Sequence, residues 1–462
     1  MQRPSPTLPR DALARRRAAL IVALGDQPAL LVAGLSRPRN YLANTYPFRP
    51  HSHFLYFFGW GTPGAVALFD DGQATLYVPC TSSDDALWSG PPVDPSELAT
   101  ALGVRTATLA DLESRLRKRG NVATLPAVDA ETSAQQSSLL GRPIVAGQLH
   151  GSDAALADAI IELRLQHDEA AVAELRLAAD ATASAHEAGM RATHAGIRES
   201  AVRAAMEANL IARDCATAYG SIVTVHGEIL HNESHHNVLE VDDMLLADVG
   251  AETPGGWAGD VTRTWPVRGT FSAEQSDIYD VVLTAQRAAI AAVRPGARYR
   301  DIHMLATQSL AAGLRDLGVL KGDPVERAHD GTAALLFPHG VGHLLGLDVH
   351  DMEDLGDRAG YAPGRRRAPE AGLRYLRLDR DLAAGMAVTI EPGIYFVPAI
   401  LDDANVRRDT AGRIDWTRLD GYRRIRGIRI EDDVLVTASG ADVLTAAIPK
   451  DRNNIETVLA KR

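Results

Sequence analysis

Cysteine is almost absent from this sequence. Only Cys80 and Cys215 occur in 462 residues, and they stand far apart along the chain. Two distant cysteines do not support a disulfide framework. The scarcity is typical of a protein that folds in a reducing compartment, and we therefore expect a cytoplasmic protein.

An excess of basic residues and long apolar runs are also missing. The formal net charge is −11, which argues against nucleic acid as the main partner because phosphate binding needs a basic face. No stretch approaches the length of a membrane span. Near the N-terminus, the apolar run AALIVAL has only seven residues and no small-residue cleavage site follows it, so we interpret Asp11–Leu24 as an amphipathic helix rather than a targeting segment.

Length and pattern predict an α+β chain with two domains. The first, residues 1–154, is expected to be a mixed α/β domain with a helix at Pro95–Leu102. Its strands are expected where short apolar or aromatic runs alternate with turn residues: Ala29–Val32, Phe54–Phe58, Val66–Phe69 and Ala74–Val78. The second, residues 155–462, carries all the motifs described next.

Two acids organise the second domain. Asp248 and Asp260 stand twelve residues apart in MLLADVGAETPGGWAGDVTRTWPVR, across a turn rich in proline and glycine. Both flanks have strand patterns, which predicts two adjacent strands with an acid on each. Aspartate is a poor strand former, and two facing carboxylates repel unless a proton or a cation lies between them. The pattern therefore indicates a cation site.

Further ligand types follow in three separate motifs. FPHGVGHLLGLDVHD contains three histidines, TIEPGIYF places Glu391 after an apolar run, and GIRIEDDV alternates Arg429 and Glu431 with isoleucines. In a single strand over Gly427–Val434, Arg429 and Glu431 would share one face. Carboxylates with a single imidazole favour Mn²⁺, Co²⁺ or Mg²⁺ over structural zinc. Four carboxylates carry too much charge for one divalent ion and match two.

The motif order DVG, GDVTRT, HGVGH, EPG and RIED resembles the dinuclear metallopeptidases of the pita-bread (creatinase/aminopeptidase-like) fold. Within that superfamily the chain is similar to the proline peptidases, aminopeptidase P and prolidase, from about residue 170 to 446. The resemblance implies that Asp248 binds one metal, that His343 and Glu391 bind the other, and that Asp260 and Glu431 bridge both. One departure is visible, because the spacing between the aspartates is one residue longer than in the family.

The resemblance also implies roles for six residues around the metals. Glu391 would carry a proton to the leaving nitrogen, and His350 and His231 would stabilise the carbonyl oxygen. His339 would line the proline pocket. Arg377 matches the arginine with which prolidases hold a substrate carboxylate, a task that suits a guanidinium fork. Arg429 would contact substrate or, more in keeping with its strand position, orient the metal-bound carboxylates.

The implied activity is hydrolysis of the bond before a proline by an enzyme with two divalent ions, Mn²⁺ by preference and Co²⁺ or Zn²⁺ as alternatives. The sequence favours removal of the first residue from Xaa-Pro peptides, as in aminopeptidase P. Arg377 and the long connection before Glu391 keep open a prolidase that is restricted to dipeptides. A different alternative is a non-catalytic binding protein on the same fold, although such relatives typically lose ligands. The partners implied are proline-containing peptides and further copies of the chain in a dimer or tetramer.

Overall fold

A computed structural model describes residues 8–80, 86–88, 90–91 and 93–461. The chain forms two compact units. The first comprises the described part of Met1–Ala171 together with the short segment Met352–Ala359, and the second comprises Val172–Asp351 and Gly360–Arg462. Within the described ranges, no helix is both long and apolar enough to cross a membrane.

The first unit is built on a mixed five-stranded sheet. The strands lie in the order β4-β3-β2-β1-β5, in which the central pairs are antiparallel and the two outer pairs are parallel. Leu30, Val66 and Leu112 belong to the buried cluster beside the sheet. The strand bounds are Ala29–Val32 (β1), Val66–Asp70 (β2), Gln73–Val78 (β3), Arg105–Thr108 (β4) and Ala123–Thr124 (β5).

The aromatic run Phe54–Phe58, expected as a strand, is instead part of the helix Ser52–Phe58. All seven residues of this helix are buried, so the run shows no alternation that distinguishes a helix from a strand. Gly59 ends the helix with a left-handed φ of 56°. The other described helices of this unit include Arg10–Leu24, Pro95–Leu102, Leu109–Leu116, Ala130–Leu140 and Gly151–Arg164.

Long helices precede each strand group of the second unit. Ser272 caps the helix Ala273–Ala292 in a capping box with Gln275, and residues 293–298 separate this helix from Tyr299–Asp316. The other helices are shorter or lie before the first strand group: Glu169–Ala192, Glu199–Ala212, Pro324–His329, Asp357–Gly360, Pro398–Leu401, Ala404–Thr410, Trp416–Asp420 and Arg452–Leu459. Two of them, Glu169–Ala192 and Asp357–Gly360, contain residues of both units.

Two three-stranded antiparallel sheets carry the acidic motifs. Their orders are β10-β8-β7 and β11-β14-β15, and two strand pairs, β12-β13 and β6-β9, complete the unit. The bounds are Ala216–Thr217 (β6), Ile222–Thr224 (β7), Met244–Asp248 (β8), Ala251–Glu252 (β9), Thr262–Pro266 (β10), Ala387–Ile390 (β11), Gly393–Tyr395 (β12), Gly427–Arg429 (β13), Asp432–Val436 (β14) and Ala441–Val443 (β15).

The expected single strand over Gly427–Val434 is wrong, because two strands occupy this stretch. Arg429 pairs with Gly393 in β12, whereas Asp432 pairs with Ile390 in β11. The chain changes partner between them, and Glu431 lies in the break. Asp260 likewise precedes β10 rather than lying within it, although Thr262 pairs directly with Asp248 as neighbouring strands require.

Candidate metal centre

Six side chains of metal-ligand type converge inside the second unit. They form three overlapping groups, in each of which one donor atom per residue lies within 4.8 Å of the others. The groups are Asp248–Asp260–Glu431, His343–Glu391–Glu431 and Asp260–His343–His350. All five residues that the sequence predicted as ligands are therefore brought together, and His350 joins them.

The backbone segments that follow Asp248 and precede Asp260 lie very close together, which brings the two aspartates near each other. A Cβ atom on Gly250 would lie 1.8 Å from the carbonyl oxygen of Gly259, so the chain can return to Asp260 only where glycine stands. The turn between the two aspartates, which is one residue longer than expected, is held by Thr253. The hydroxyl of Thr253 accepts hydrogen bonds from two backbone amides and donates one to Glu174 at 2.6 Å. The turn is thus an ordered element.

The histidine motif runs beside β11, and Glu391 follows directly after that strand. The backbone amide of Thr389 donates to the carbonyl of His343 at 3.0 Å, and that of Glu391 donates to Val341 at 2.8 Å. The ring Nδ1 of His343 lies 2.9 Å from the carbonyl of Leu344, which fixes this nitrogen as the donor. Nε2 is thereby turned toward the acids, 3.3 Å from Asp260 and 3.6 Å from Glu391, in the orientation of a metal ligand.

The electrostatics of the centre fit divalent cations. Burial, reinforced by the neighbouring carboxylates, raises the pKa of Glu391 to about 7 and holds the pKa of Glu431 well above its ordinary value. Burial also raises the pKa of Asp248, against the opposing charge of Arg429. Without added positive charge these acids cannot all be ionised together. Buried carboxylates that lack sufficient positive charge, together with the imidazole of His343, are suited to bind divalent metal ions.

Hydrogen-bond donors around the acids fix their orientation. Arg429, which is 4% exposed, donates to Asp248 at 2.6 Å and to the hydroxyl of Thr262 at 2.8 Å. Thr262 in turn donates to Glu431 at 2.6 Å. Tyr219 donates to the other oxygen of Asp248 at 2.5 Å, and burial holds the pKa of this phenol well above its ordinary value, so that it remains a donor.

The sequence interpretation did not single out Tyr219, Thr262 or Tyr395. Thr262 lies inside the GDVTRT motif, two residues after Asp260 and two before Thr264. This spacing could have indicated that Thr262 lies on the same side of the chain as Asp260. Tyr395 follows EPG and contacts both His339, at 2.7 Å, and Arg429, at 3.2 Å. Tyr219 stands twenty-nine residues before Asp248, and nothing in its local sequence points to the centre.

All ten predicted site residues line one cavity of about 360 Å³. His339 faces it with its Nδ1 bonded to its neighbour Gly340, and burial lowers the pKa of this histidine to about 3, so that the ring is neutral. The lining residues are Leu230, His231, Asp248, Asp260, Pro338, His339, Gly340, Gly342, His343, His350, Tyr375, Arg377, Glu391, Arg429 and Glu431.

Two family descriptions match the chain. The sequence model of metallopeptidase family M24 covers residues 173–438, and that of the aminopeptidase P N-terminal domain covers residues 13–125. The first match includes every residue of the candidate centre.

Relatives and solved structures agree over almost the whole chain. A probable Xaa-Pro aminopeptidase pepP of Aspergillus fumigatus is 34% identical over 90% of this chain and 88% of its own. The Xaa-Pro dipeptidase of Homo sapiens is 30% identical over 98% of this chain and 94% of its own. The structure of Pseudomonas aeruginosa aminopeptidase PepP superposes with a TM-score of 0.81 at 28% identity, with 98% of both chains covered.

Proposed function

The chain belongs to metallopeptidase family M24, and on that premise we propose how its buried centre acts. The protein is a metallopeptidase of the Xaa-Pro aminopeptidase type, which hydrolyses the bond between the first residue of a peptide and a proline in the second position. The resemblance to the proline peptidases and the α+β fold with a pita-bread second domain are thereby confirmed.

One observation supports the proposal most directly: five acids and imidazoles from five separate motifs line a single cavity and form overlapping groups, within each of which the donor atoms lie within 4.8 Å of one another. In this centre Asp248 would hold one divalent metal ion, His343 and Glu391 would hold the other, and Asp260 and Glu431 would contribute to both. The oxygen-rich donor set favours Mn²⁺, with Co²⁺ or Zn²⁺ as alternatives. Such ions, when bound, lower the pKa of a water molecule and polarise the scissile carbonyl.

The surrounding residues supply proton transfer and orientation. Glu391 takes the proton of the attacking water and passes it to the prolyl nitrogen, which has no hydrogen of its own while it is part of the peptide bond. His350 and His231 donate hydrogen bonds to the carbonyl oxygen as its negative charge grows. His339 packs against the proline ring. Arg429, through its bonds to Asp248 and Thr262, keeps the carboxylates in place.

A second candidate function is Xaa-Pro dipeptidase activity. It is favoured by Arg377, which lines the cavity and whose guanidinium is able to bind the free carboxylate of a dipeptide. The similarity to the human Xaa-Pro dipeptidase points the same way. An arginine in this position does not by itself exclude longer peptides, so one enzyme can act on both.

The test is hydrolysis of Ala-Pro beside Ala-Pro-Ala-Ala by the Mn²⁺-loaded protein. Release of alanine from the tetrapeptide identifies an aminopeptidase, and cleavage of the dipeptide alone identifies a dipeptidase. The variant Asp260→Ala serves as the control and is expected to lose activity with both substrates. A protein that binds no metal and cuts neither substrate is a non-catalytic member of the fold, and this outcome overturns the proposal.

The proposal includes the setting of the enzyme. Its substrates are proline-containing peptides, it acts in the cytoplasm, and it works as a homo-oligomer, a dimer or tetramer, in which the N-terminal domain covers the site of a neighbouring copy. Residues 1–154 and 155–462 are its two functional domains. The small number of cysteines and the match to the aminopeptidase P N-terminal domain support these points.

A further inference from the structure

Residues 361–380, the wall segment, form an ordered side of the cavity although they contain almost no regular secondary structure. The wall segment is anchored near its end by Asp379, which accepts two hydrogen bonds from Arg298 at 2.7 Å each. The beginning of the wall segment is bonded to the same residue, because the backbone amide of Ala362 donates to the carbonyl of Asp379 at 3.1 Å. A fork of this kind holds a segment more firmly than a single surface ion pair does.

The middle of the wall segment is held by two side chains from its own beginning. Arg367 donates to the carbonyl of Leu376 at 2.7 Å and to that of Arg374 at 3.3 Å. The hydroxyl of Tyr361 donates to the same carbonyl of Leu376, also at 2.7 Å. The guanidinium of Arg367 lies 5.3 Å from the centre of the Tyr361 ring, so the two side chains also support each other.

These bonds fix the backbone next to two residues that line the cavity. Leu376 is buried at 2% exposure, and its neighbours Tyr375 and Arg377 both belong to the cavity lining. On the opposite side, a Cβ atom on Gly340 would lie 3.1 Å from the Cα of Leu376. The wall segment is therefore in close contact with Gly340, the residue after His339, and cannot move closer to it at Leu376.

We propose that Arg367 and Tyr361 are positioning residues that set the place of Arg377, and with it the affinity for substrates that end directly after proline. The inference rests on the proposed function. A guanidinium binds a carboxylate through a planar fork, which tolerates displacements of only about 0.5 Å. The carbonyl of Leu376 is the peptide group directly before Arg377, so loss of its two donors frees the backbone from which that fork extends.

The test compares steady-state kinetics of four single variants and one double variant with Ala-Pro and Ala-Pro-Ala-Ala. Arg367→Ala removes both carbonyl contacts, and Tyr361→Phe removes one hydroxyl while it keeps the ring. Arg366→Ala is the matched control, because it removes the same charge one residue away, and among the described residues no hydrogen bond or ion pair to Arg366 is found. Arg377→Ala reports the contribution of the fork itself.

For Arg367→Ala we expect the KM for the dipeptide to rise about tenfold, the effect of one lost charge-assisted hydrogen bond. The kcat for the dipeptide and both constants for the tetrapeptide should stay within about twofold. Tyr361→Phe should also raise the KM for the dipeptide, by a smaller factor, and leave the constants for the tetrapeptide unchanged. In the Arg377→Ala background, the further change Arg367→Ala should have no added effect on the dipeptide.

Four outcomes overturn the inference. If both substrates lose activity in parallel in Arg367→Ala, then Arg367 is a purely structural residue. If Arg366→Ala gives the same rise in KM, the effect comes from net charge. If the parent enzyme cuts only the tetrapeptide, the fork has no dipeptide to hold, and the inference falls while the proposed function stands. A parent that cuts neither peptide overturns both.

Discussion

Single residues around the acids decide how well the centre holds its cations. Asp248 accepts hydrogen bonds on both carboxylate oxygens, from Tyr219 and from Arg429. Donors that orient a metal ligand are worth about 10- to 100-fold in metal affinity. We therefore expect Tyr219→Phe to weaken Mn²⁺ binding by about tenfold, measured by titrating the metal-free protein in a calorimeter.

A matched control for this change is Tyr422→Phe. The hydroxyl of Tyr422 donates to Asp277 at 2.9 Å, and neither residue lines the cavity. The control should bind Mn²⁺ as the parent does. Equal affinity of the Tyr219→Phe variant and the parent would contradict the role given to the phenol.

A buried histidine away from the acids makes stability depend on pH. His186 is fully buried beside Trp265 and contacts the carbonyl of Val249 at 3.0 Å. Burial lowers the pKa of His186 from 6.5 to about 3. The unfolded chain therefore takes up a proton near pH 6.5 while the folded protein does not, so stability is fully present above pH 6.5 and falls as the pH drops toward 3.

We expect His186→Gln to reduce this loss. A glutamine amide is able to donate to Val249 but does not titrate. Between pH 7.5 and pH 5 the free energy of unfolding of the parent should fall by about 2 kcal/mol more than that of the variant. Denaturant unfolding at the two pH values measures the difference. Identical pH dependence in both proteins would show that His186 does not cause the loss.

At the scale of residues, the sequence was informative wherever chemistry lies within a short motif. The acids and histidines could be predicted because few arrangements other than a metal centre bring Asp248, Glu391 and Glu431 into apolar runs. Tyr219 could not be predicted, since its contact with Asp248 depends on how two distant segments pack. No property of the tyrosine itself reveals that contact.

Strands β10 and β14 are joined by a buried ion pair next to the candidate metal centre. Arg263 donates to Asp432 at 2.7 Å and also contacts the carbonyl of Glu431, and both side chains of the pair are completely inaccessible to solvent. Asp432 further accepts from Lys450 and Gln286. The pair therefore fixes the backbone from which Glu431, a proposed metal ligand, extends.

Removing Arg263 deprives the buried Asp432 carboxylate of one of its two cationic partners, since only Lys450 remains. We expect Arg263→Met to lower the free energy of unfolding by about 3–5 kcal/mol, measured by denaturant unfolding of the metal-free protein so that metal loss does not contribute. The control is Arg287→Met, which breaks an exposed pair with Asp451 and should cost no more than about 1 kcal/mol. Similar losses in both variants would contradict the argument.

Elements were predictable from the sequence only where a pattern has one interpretation. The helix Pro95–Leu102 agrees with its prediction because Asp94 and Pro95 mark its beginning and Gly103 its end. Phe54–Phe58 is apolar at every position and therefore fits a helix as well as a strand. The break at Glu431 was hidden for another reason: polar residues continue at every second position across it, as Arg429, Glu431 and Asp433, and only the partner strands change.

At the scale of the whole molecule, the sequence indicated two domains but not their composition. Met352–Ala359 lies between the histidine motif and the wall segment, yet it is part of the first unit. Asp354 binds the ring of His53 at 2.9 Å, and Arg358 pairs with Asp158 at 2.6 Å. These contacts join residues that are 200 or more positions apart, and neither partner carries a local signal.

Metal binding should stabilise one unit selectively, because all five proposed ligands belong to the second. A ligand present at one hundred times its dissociation constant adds about 3 kcal/mol to the folded state. We expect chelation to speed backbone hydrogen exchange in peptides from Val172–Asp351 and Gly360–Arg462, and Mn²⁺ to slow it again. Peptides from the first unit should exchange at the same rate in both conditions, as measured by mass spectrometry.

The control for this experiment is Asp260→Ala, which lacks one of the two carboxylates proposed to contact both ions. Added Mn²⁺ should no longer slow exchange in this variant, whereas the metal-free variant should exchange like the metal-free parent or more slowly, because one of four repelling buried acids is gone. If Mn²⁺ protects both units equally, its effect is global and does not come from the centre. If it protects neither, the buried acids do not form a metal site, and the proposed chemistry has no basis.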